Sequence, residues 1–262
     1  MFTLRPAIRN TVATAVFNGS IPSSADLREI VGHGYGFHFV NVPEEYRDFR
    51  FLEPYADKVR QLGIADAMCT DVSAVAHLPN LEKLSLYVNQ KSDVDLTGLT
   101  KLEDFHGSHR HFESVSDSLS LRRLALQETK VSALGEIRGP LEYLELIDAR
   151  LLSALPHLRF PTRLEVLWLL GPRDISLGDI SQFSSLCYLS LESCVRVTEA
   201  DRLLVLTNLQ TLGLSKCDSI EPAEALLELN GLEIGFAGRS PFDAAFKAAA
   251  KKSGSTWNFY RS

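Results

Sequence analysis

The chain is poor in the residues and patterns that would announce chemistry. It has four cysteines in 262 residues, Cys69, Cys187, Cys194 and Cys217. They form neither a C-x-x-C pair nor the dense spacing of a secreted disulfide scaffold, so reduced thiols are expected. Excess positive charge is also missing: 27 Lys and Arg against 33 Asp and Glu give a net charge of -6. A broad phosphate-binding surface is therefore not expected, and a basic partner suits the chain better than nucleic acid. No uncharged run approaches the roughly 18 to 20 residues that cross a bilayer. The apolar residues near the start are interrupted by Arg9, Asn10, Thr11 and Thr14, which is no secretory h-region. A cytoplasmic location and no membrane are the expectations. Phosphate-cradling glycine loops, a G-x-S-x-G elbow and H-E-x-x-H are absent, so no enzyme activity and no cofactor are expected.

What is present is a phrase said repeatedly. Leu186-Cys-Tyr-Leu189-Ser-Leu191-Glu-Ser-Cys194 returns as Leu209-Gln-Thr-Leu212-Gly-Leu214-Ser-Lys-Cys217, 23 residues later. Apolar residues occupy its first, fourth and sixth places, and a small residue its ninth. Ten copies can be followed, starting at Phe37, Val59, Leu81, Leu102, Leu121, Leu141, Leu164, Leu186, Leu209 and Leu232, at intervals of 19 to 23 residues. Self-similarity at that period is the mark of a solenoid. The weaker copies are Phe37-Val40-Val42 and Val59-Leu62-Ile64, which use other apolar residues, and Leu102-Phe105-Gly107 and Leu232-Gly235-Ala237, where small residues replace leucines.

The pattern L-x-x-L-x-L-x-x-N/C resembles that of leucine-rich repeat proteins of the short bacterial type, an architecture shared by internalins and ribonuclease inhibitor. The resemblance implies an α/β fold, a right-handed solenoid with a concave parallel β-sheet and short helical or extended convex segments. It also implies a scaffold for protein binding, whereas no relative's binding residues can be carried over. The ninth-place asparagine survives only at Asn89.

Three regions follow. Residues 1–36 read as an N-terminal cap, with a short strand before Asn18-Gly19 and a helix capped by Ser23 or Ser24 and stopped by Gly32. Residues 37–239 hold the repeats. Residues 240–262 read as a capping helix begun by Ser240-Pro241 and Asp243, carrying Phe242, Ala245, Phe246 and Ala249, with a tail of Trp257 to Tyr260 that packs back or binds a partner. Between phrases the 23-residue copies leave room for a helical turn or two, as at Glu199 to Leu206 and Pro222 to Leu229. The copies of 19 and 20 predict extended or single-turn connections between His111 and Pro140.

In a strand, alternate residues face opposite sides, so places four and six point inward and places three, five and seven outward. An outward row facing only water should be polar. Yet Tyr143, Ile147, Val166, Trp168, Leu170 and Tyr188 fall there on three consecutive strands, and such residues make interface hot spots. Glu145 and Glu192 accompany them, and Tyr87, Asp104, His106 and Arg123 extend the set as a polar rim. A covering loop or self-association is the competing explanation.

His106-Gly-Ser-His109-Arg-His111 brings three imidazoles close in sequence. Places five, eight and ten do not share a face, so no metal is assigned. Cys194 and Cys217 occupy equivalent places about 5 Å apart in neighbouring repeats, close enough for a disulfide but expected as stacked thiols. The expected function is non-enzymatic binding of a protein on the concave face, as an immunity or inhibitor protein that occludes a toxin or enzyme. The alternative is a structural adaptor or self-assembling subunit.

Overall fold

The computed structural model describes residues 2–5, 12–69, 71–88, 94–238, 242 and 244–260. Asn89, Ser240, Pro241 and Asp243 lie outside them, and with them the ninth-place asparagine and the helix start read from the sequence. The chain divides into two compact units, residues 1–121 and 122–262.

In the first unit, β1 (Thr3–Arg5) pairs antiparallel with β2 (Thr14–Asn18). From β2 the pairing is parallel and in chain order through β3 (Gly36–Val40), β4 (Gln61–Asp66), β5 (Lys83–Val88) and β6 (Asp104–Ser108). Helix α1 (Ser24–Gly32) joins β2 to β3. Ser23 is its N-cap: the hydroxyl accepts from the Asp26 N–H, and the Asp26 carboxylate accepts from the Ser23 N–H, a reciprocal capping box. Leu27 and Ile30 are its buried residues, one helical turn apart on one face.

The register corrects the sequence reading at this end. Phe37 pairs with Leu62, and Phe39 with Ile64. Phe37 is thus the fourth place of its phrase rather than the first, and the phrase begins at Gly34. Phe39, assigned outward from the sequence, is wholly buried. The cause is a core built from rings: Phe39 stacks on Phe17 at 5.3 Å and meets Phe49 and Phe51 edge-on at 5.6 and 5.5 Å. Phenylalanine fills here the volume that leucine fills elsewhere, so the leucine pattern fades.

The second unit is a parallel sheet of β7 (Arg123–Gln127), β8 (Tyr143–Leu146), β9 (Val166–Leu170), β11 (Tyr188–Glu192), β13 (Thr211–Ser215), β15 (Glu233–Ala237) and β16 (Thr256–Tyr260). A smaller parallel sheet on the return side joins β10 (Asp174–Ser176), β12 (Arg196–Thr198) and β14 (Ser219–Glu221). Ile175, Val197 and Ile220 bury its inner face. Their repeat was visible in the sequence but fell outside the leucine phrase. Leu189, Leu191, Leu212 and Leu214 are at most 1% exposed, and each such side chain contributes about 1.5 to 3 kcal/mol by leaving water.

The last phrase is also displaced by one residue. Leu212 pairs with Ile234 and Leu214 with Phe236, so the phrase starts at Gly231. Ile234 and Phe236 are buried, whereas Gly235 and Ala237, read as inward from the sequence, face the other side. The backbone supports both corrections. At the eighth place, where the chain leaves the strand, φ is positive at Asn41, Glu128, Asp148, Gly171, Ser193, Lys216 and Gly238. Asn41 and Gly238 fit that series only with phrases starting at 34 and 231.

Return segments differ in kind. Residues Ala200–Val205 and Ala223–Leu227 are short 3-10 helices in the 23-residue copies. Between 111 and 140 the expectation of single turns fails at its start. A 3-10 turn His109–His111 runs into α2 (Phe112–Ser116) because Phe112 and Val115 have core to bury. The 128–142 stretch has no helix; it is tied by the bridge of Ile137 to Leu158 and by hydrogen bonds of the Thr129 N–H to the Ile147 carbonyl and the Ser153 N–H to the Ser132 carbonyl. Helix α3 (Ala244–Ala250) follows the last phrase; its Phe246 stacks on Phe242 at 4.2 Å, and both meet the Trp257 ring edge-on. Ala245, placed on the apolar stripe from the sequence, is exposed. Trp257 lies on β16, where it pairs with Ile234. The tail thus packs back as an edge strand.

Candidate functional site

The outward face of the second unit is set by alternation along each strand. In β8, Leu144 and Leu146 are buried, so Tyr143 and Glu145 must emerge on the opposite side. The register then aligns Tyr143, Val166 and Tyr188 in one row, and Glu145, Trp168 and Ser190 in the next. Leu170 lies opposite Glu192. Ile147 continues from β8, its N–H donating to the Leu126 carbonyl at 2.8 Å. The six apolar residues expected from the sequence are therefore brought together on three neighbouring strands.

They are half-buried rather than fully exposed. Large side chains at cross-strand spacing cover one another and leave little solvent to the small residues between them. Ser190, beside Trp168 in register, keeps only 3% of its surface although it points outward. An outward position here is not the same as a wet one.

Polar groups border this surface. Arg123, exposed on β7, sets its guanidinium 4.2 Å from the centre of the Tyr143 ring, a cation–π geometry. The Tyr143 hydroxyl donates to Glu145 Oε2 at 2.7 Å. Burial, and then that hydrogen bond to a carboxylate, push the phenol pKa up. The Ser190 hydroxyl donates to Glu192 Oε1 at 3.3 Å. Among the described residues Trp168 Nε1 has no hydrogen-bond partner, although the atom is shut off from solvent. The surface thus offers an apolar centre with one buried N–H donor and two carboxylates beside it. That inventory suits recognition, with both hydroxyls, of Tyr143 and Ser190, held by carboxylates.

Tyr87, Asp104 and His106 belong to the first unit. Tyr87 is exposed at 39%. His106 Nε2 lies 3.0 Å from Asp104 Oδ1, two residues apart on the outward side of β6. These two border a hollow that also includes His38 and Gln61, which the sequence reading did not single out. The displaced register hid His38, which counted as a second-place residue when the phrase was started at Phe37; Gln61 was read as outward but not as part of a site. The alternation Phe37-His38-Phe39 was the signal that could have found it.

The other histidines separate. His111 is 2% exposed and edge-on to Phe105. His109 stacks on Phe112, and burial lowers its pKa. Among the described residues no group of three His, Cys, Asp or Glu side chains could hold a metal ion. Cys194 and Cys217 are buried free thiols, and hydrogen bonding between them, with burial, pushes the Cys194 pKa up.

No family model matches the chain, and no curated protein matches it. Among solved structures it is similar to the internalin InlF of Listeria monocytogenes strain 4b F2365, with a TM-score of 0.51 and 18% identity over 95% of this chain and 87% of that one. The likeness establishes the fold: a mixed α/β leucine-rich repeat architecture.

Proposed function

We propose that the protein is a non-enzymatic binding module that seats a protein partner on the outward sheet face of its second unit, with Trp168 at the centre. The supporting observation is the cluster itself, with Tyr143, Val166, Trp168, Leu170 and Tyr188 half-buried side by side on three neighbouring strands. Large aromatic and aliphatic side chains that keep part of their surface on a sheet face are the kind that anchor protein interfaces. Glu145 and Glu192 flank it and the whole chain carries -6, so a partner with basic residues around an apolar segment is the complement. Tyr87, Asp104 and His106, in the first unit, are proposed as further contacts only if the partner is large enough to reach them.

The acidic charge supports a narrower reading, an immunity or inhibitor protein that occludes a basic toxin or enzyme in the cytoplasm. The half-burial of the patch supports a second, a structural adaptor or self-associating subunit. The experiment uses the protein's own fluorescence. Trp168 and Trp257 are the two tryptophans, so a Trp257→Phe background isolates Trp168. Partners recovered by affinity capture should shift Trp168 emission on titration, and Trp168→Ala should sharply weaken capture of the same protein. Unchanged emission and undiminished capture would remove this face from consideration. Concentration-dependent emission without any partner would favour self-association.

A further inference from the structure

Strand β16 (Thr256–Tyr260) is the outer strand of the second unit's sheet and is paired on one side, with β15. Thr256 stands opposite Glu233, and its N–H donates to the Leu232 carbonyl at 2.8 Å. In a parallel pair every second residue turns both its N–H and its C=O toward the neighbour, so Thr256, Asn258 and Tyr260 direct theirs to β15. Trp257 and Phe259 therefore turn two N–H and two C=O groups to the open side. Among the described residues no strand meets them.

Such an edge is a template for another strand, and proteins that stay single blunt it with charge, proline, a bulge or shortness. β14, at the edge of the smaller sheet, has these features: it is three residues long, ends in Glu221 and runs into Pro222. β16 has none of them. It is five residues long, its register with β15 is unbroken, and Thr-Trp-Asn-Phe-Tyr contains neither charge nor proline.

The order of the residues points to the occupant. A two-fold axis at Asn258 lays a second β16 antiparallel to the first, with Trp257 opposite Phe259 of the second copy and Phe259 opposite its Trp257. Those are the positions with open groups, so each pair exchanges both bonds and all four groups on either copy are satisfied. The side chains match too. Trp257 and Phe259 share one face, stacked at 5.7 Å, and each meets the other kind of ring across the axis, a favourable cross-strand pair. Asn258 meets itself in the closer, non-hydrogen-bonded site, where two neutral amides do not repel. A contact of this symmetry closes after two copies.

We propose that β16 is a self-association edge, paired antiparallel about Asn258 with the same strand of a second copy of this chain. The inference is independent of the Trp168 surface, which lies on β9, four strand intervals away in the same sheet.

Sedimentation velocity of the full chain over a series of concentrations should show the mass rising from the 29.1 kDa of one chain to twice that value and no further. Asn258 Nδ2 donates to Glu233 Oε1 at 3.2 Å, so Asn258→Asp gathers four carboxylates around the axis. It should weaken the dimer about tenfold or more. Asn258→Cys tests the register with a neutral side chain, in case Asn258→Asp disturbs the fold. Its two Cα atoms would stand about 4.5 Å apart, within disulfide reach, so oxidised glutathione should cross-link the copies beyond the level of the parent. Thr256→Cys, with its two Cα atoms about 13 Å apart, should not cross-link. A single-chain mass at every concentration, species larger than two copies, or equal cross-linking of the two cysteine variants would overturn the proposal. So would a dimer that Trp168→Ala abolishes and Asn258→Asp leaves intact.

Discussion

Arg123 and Tyr143 stand directly opposite one another on adjacent strands, and the guanidinium of the first lies over the ring of the second at 4.2 Å. The same phenol hydroxyl is held by Glu145 at 2.7 Å. Cation, ring and carboxylate thereby fix the Tyr143 ring beside the row that contains Val166 and Tyr188. An anchored aromatic loses little freedom on binding, which is what a contact residue needs.

Truncation of Trp168 should separate binding from folding. Trp168→Ala is expected to weaken binding of a captured partner by about 2 kcal/mol or more while leaving the melting temperature nearly unchanged, because the side chain lies outside the core. Glu145→Ala and Glu192→Ala should instead slow association and flatten its salt dependence. Titration calorimetry and stopped-flow binding at two ionic strengths check both.

Tyr143 should be late to ionise. Its pKa is raised above the unfolded value of about 10, so the folded state holds a proton that the unfolded state has released. Stability from this group is complete below about pH 10 and declines as pH rises beyond it. Alkaline absorbance titration should show a delayed phase that is missing in Tyr143→Phe; an unaltered curve in that variant would refute the assignment.

The register corrected at the N-terminal end has a direct energetic consequence. Phe39→Ala should cost about 3 to 5 kcal/mol, the usual cost of emptying a buried phenylalanine site. Under the register read from the sequence it would have cost little. Leu189→Asp should be similarly damaging through an unpaired buried charge. Thr211→Asp, on the outward side and half-buried, should be mild. Ser190→Asp is not a mild control, since its site is 3% exposed beside Glu192. Denaturant melts of the four proteins rank them.

The thiols give a fourth expectation. Cys194 and Cys217 are buried and unbridged, so added reductant should leave the melting temperature where it is. Alkylation of the native protein should reach half-buried Cys187 first and the buried pair only after unfolding. A lower melting temperature in reductant would mean that a disulfide forms.

Much of this protein was determined by local sequence. Leucines at places four and six must point to one side of a strand, and a period near 22 residues stacks one strand on the next, so the solenoid and the outward face holding Tyr143, Trp168 and Tyr188 were legible from periodicity. The register of the two end phrases was not. At Phe37 and Leu232 more than one alternating set of apolar or small residues fits the phrase, and only packing against Leu62 and Leu212 selects between them. The hollow around His38 and Gln61 depended on that choice and on glycines whose importance is the space they leave for neighbours 25 residues away in sequence. Tertiary structure likewise decided that outward does not mean exposed. Ser190 lies beside Trp168 on the neighbouring strand and against the Glu192 carboxylate, and its own place in the phrase does not reveal that burial.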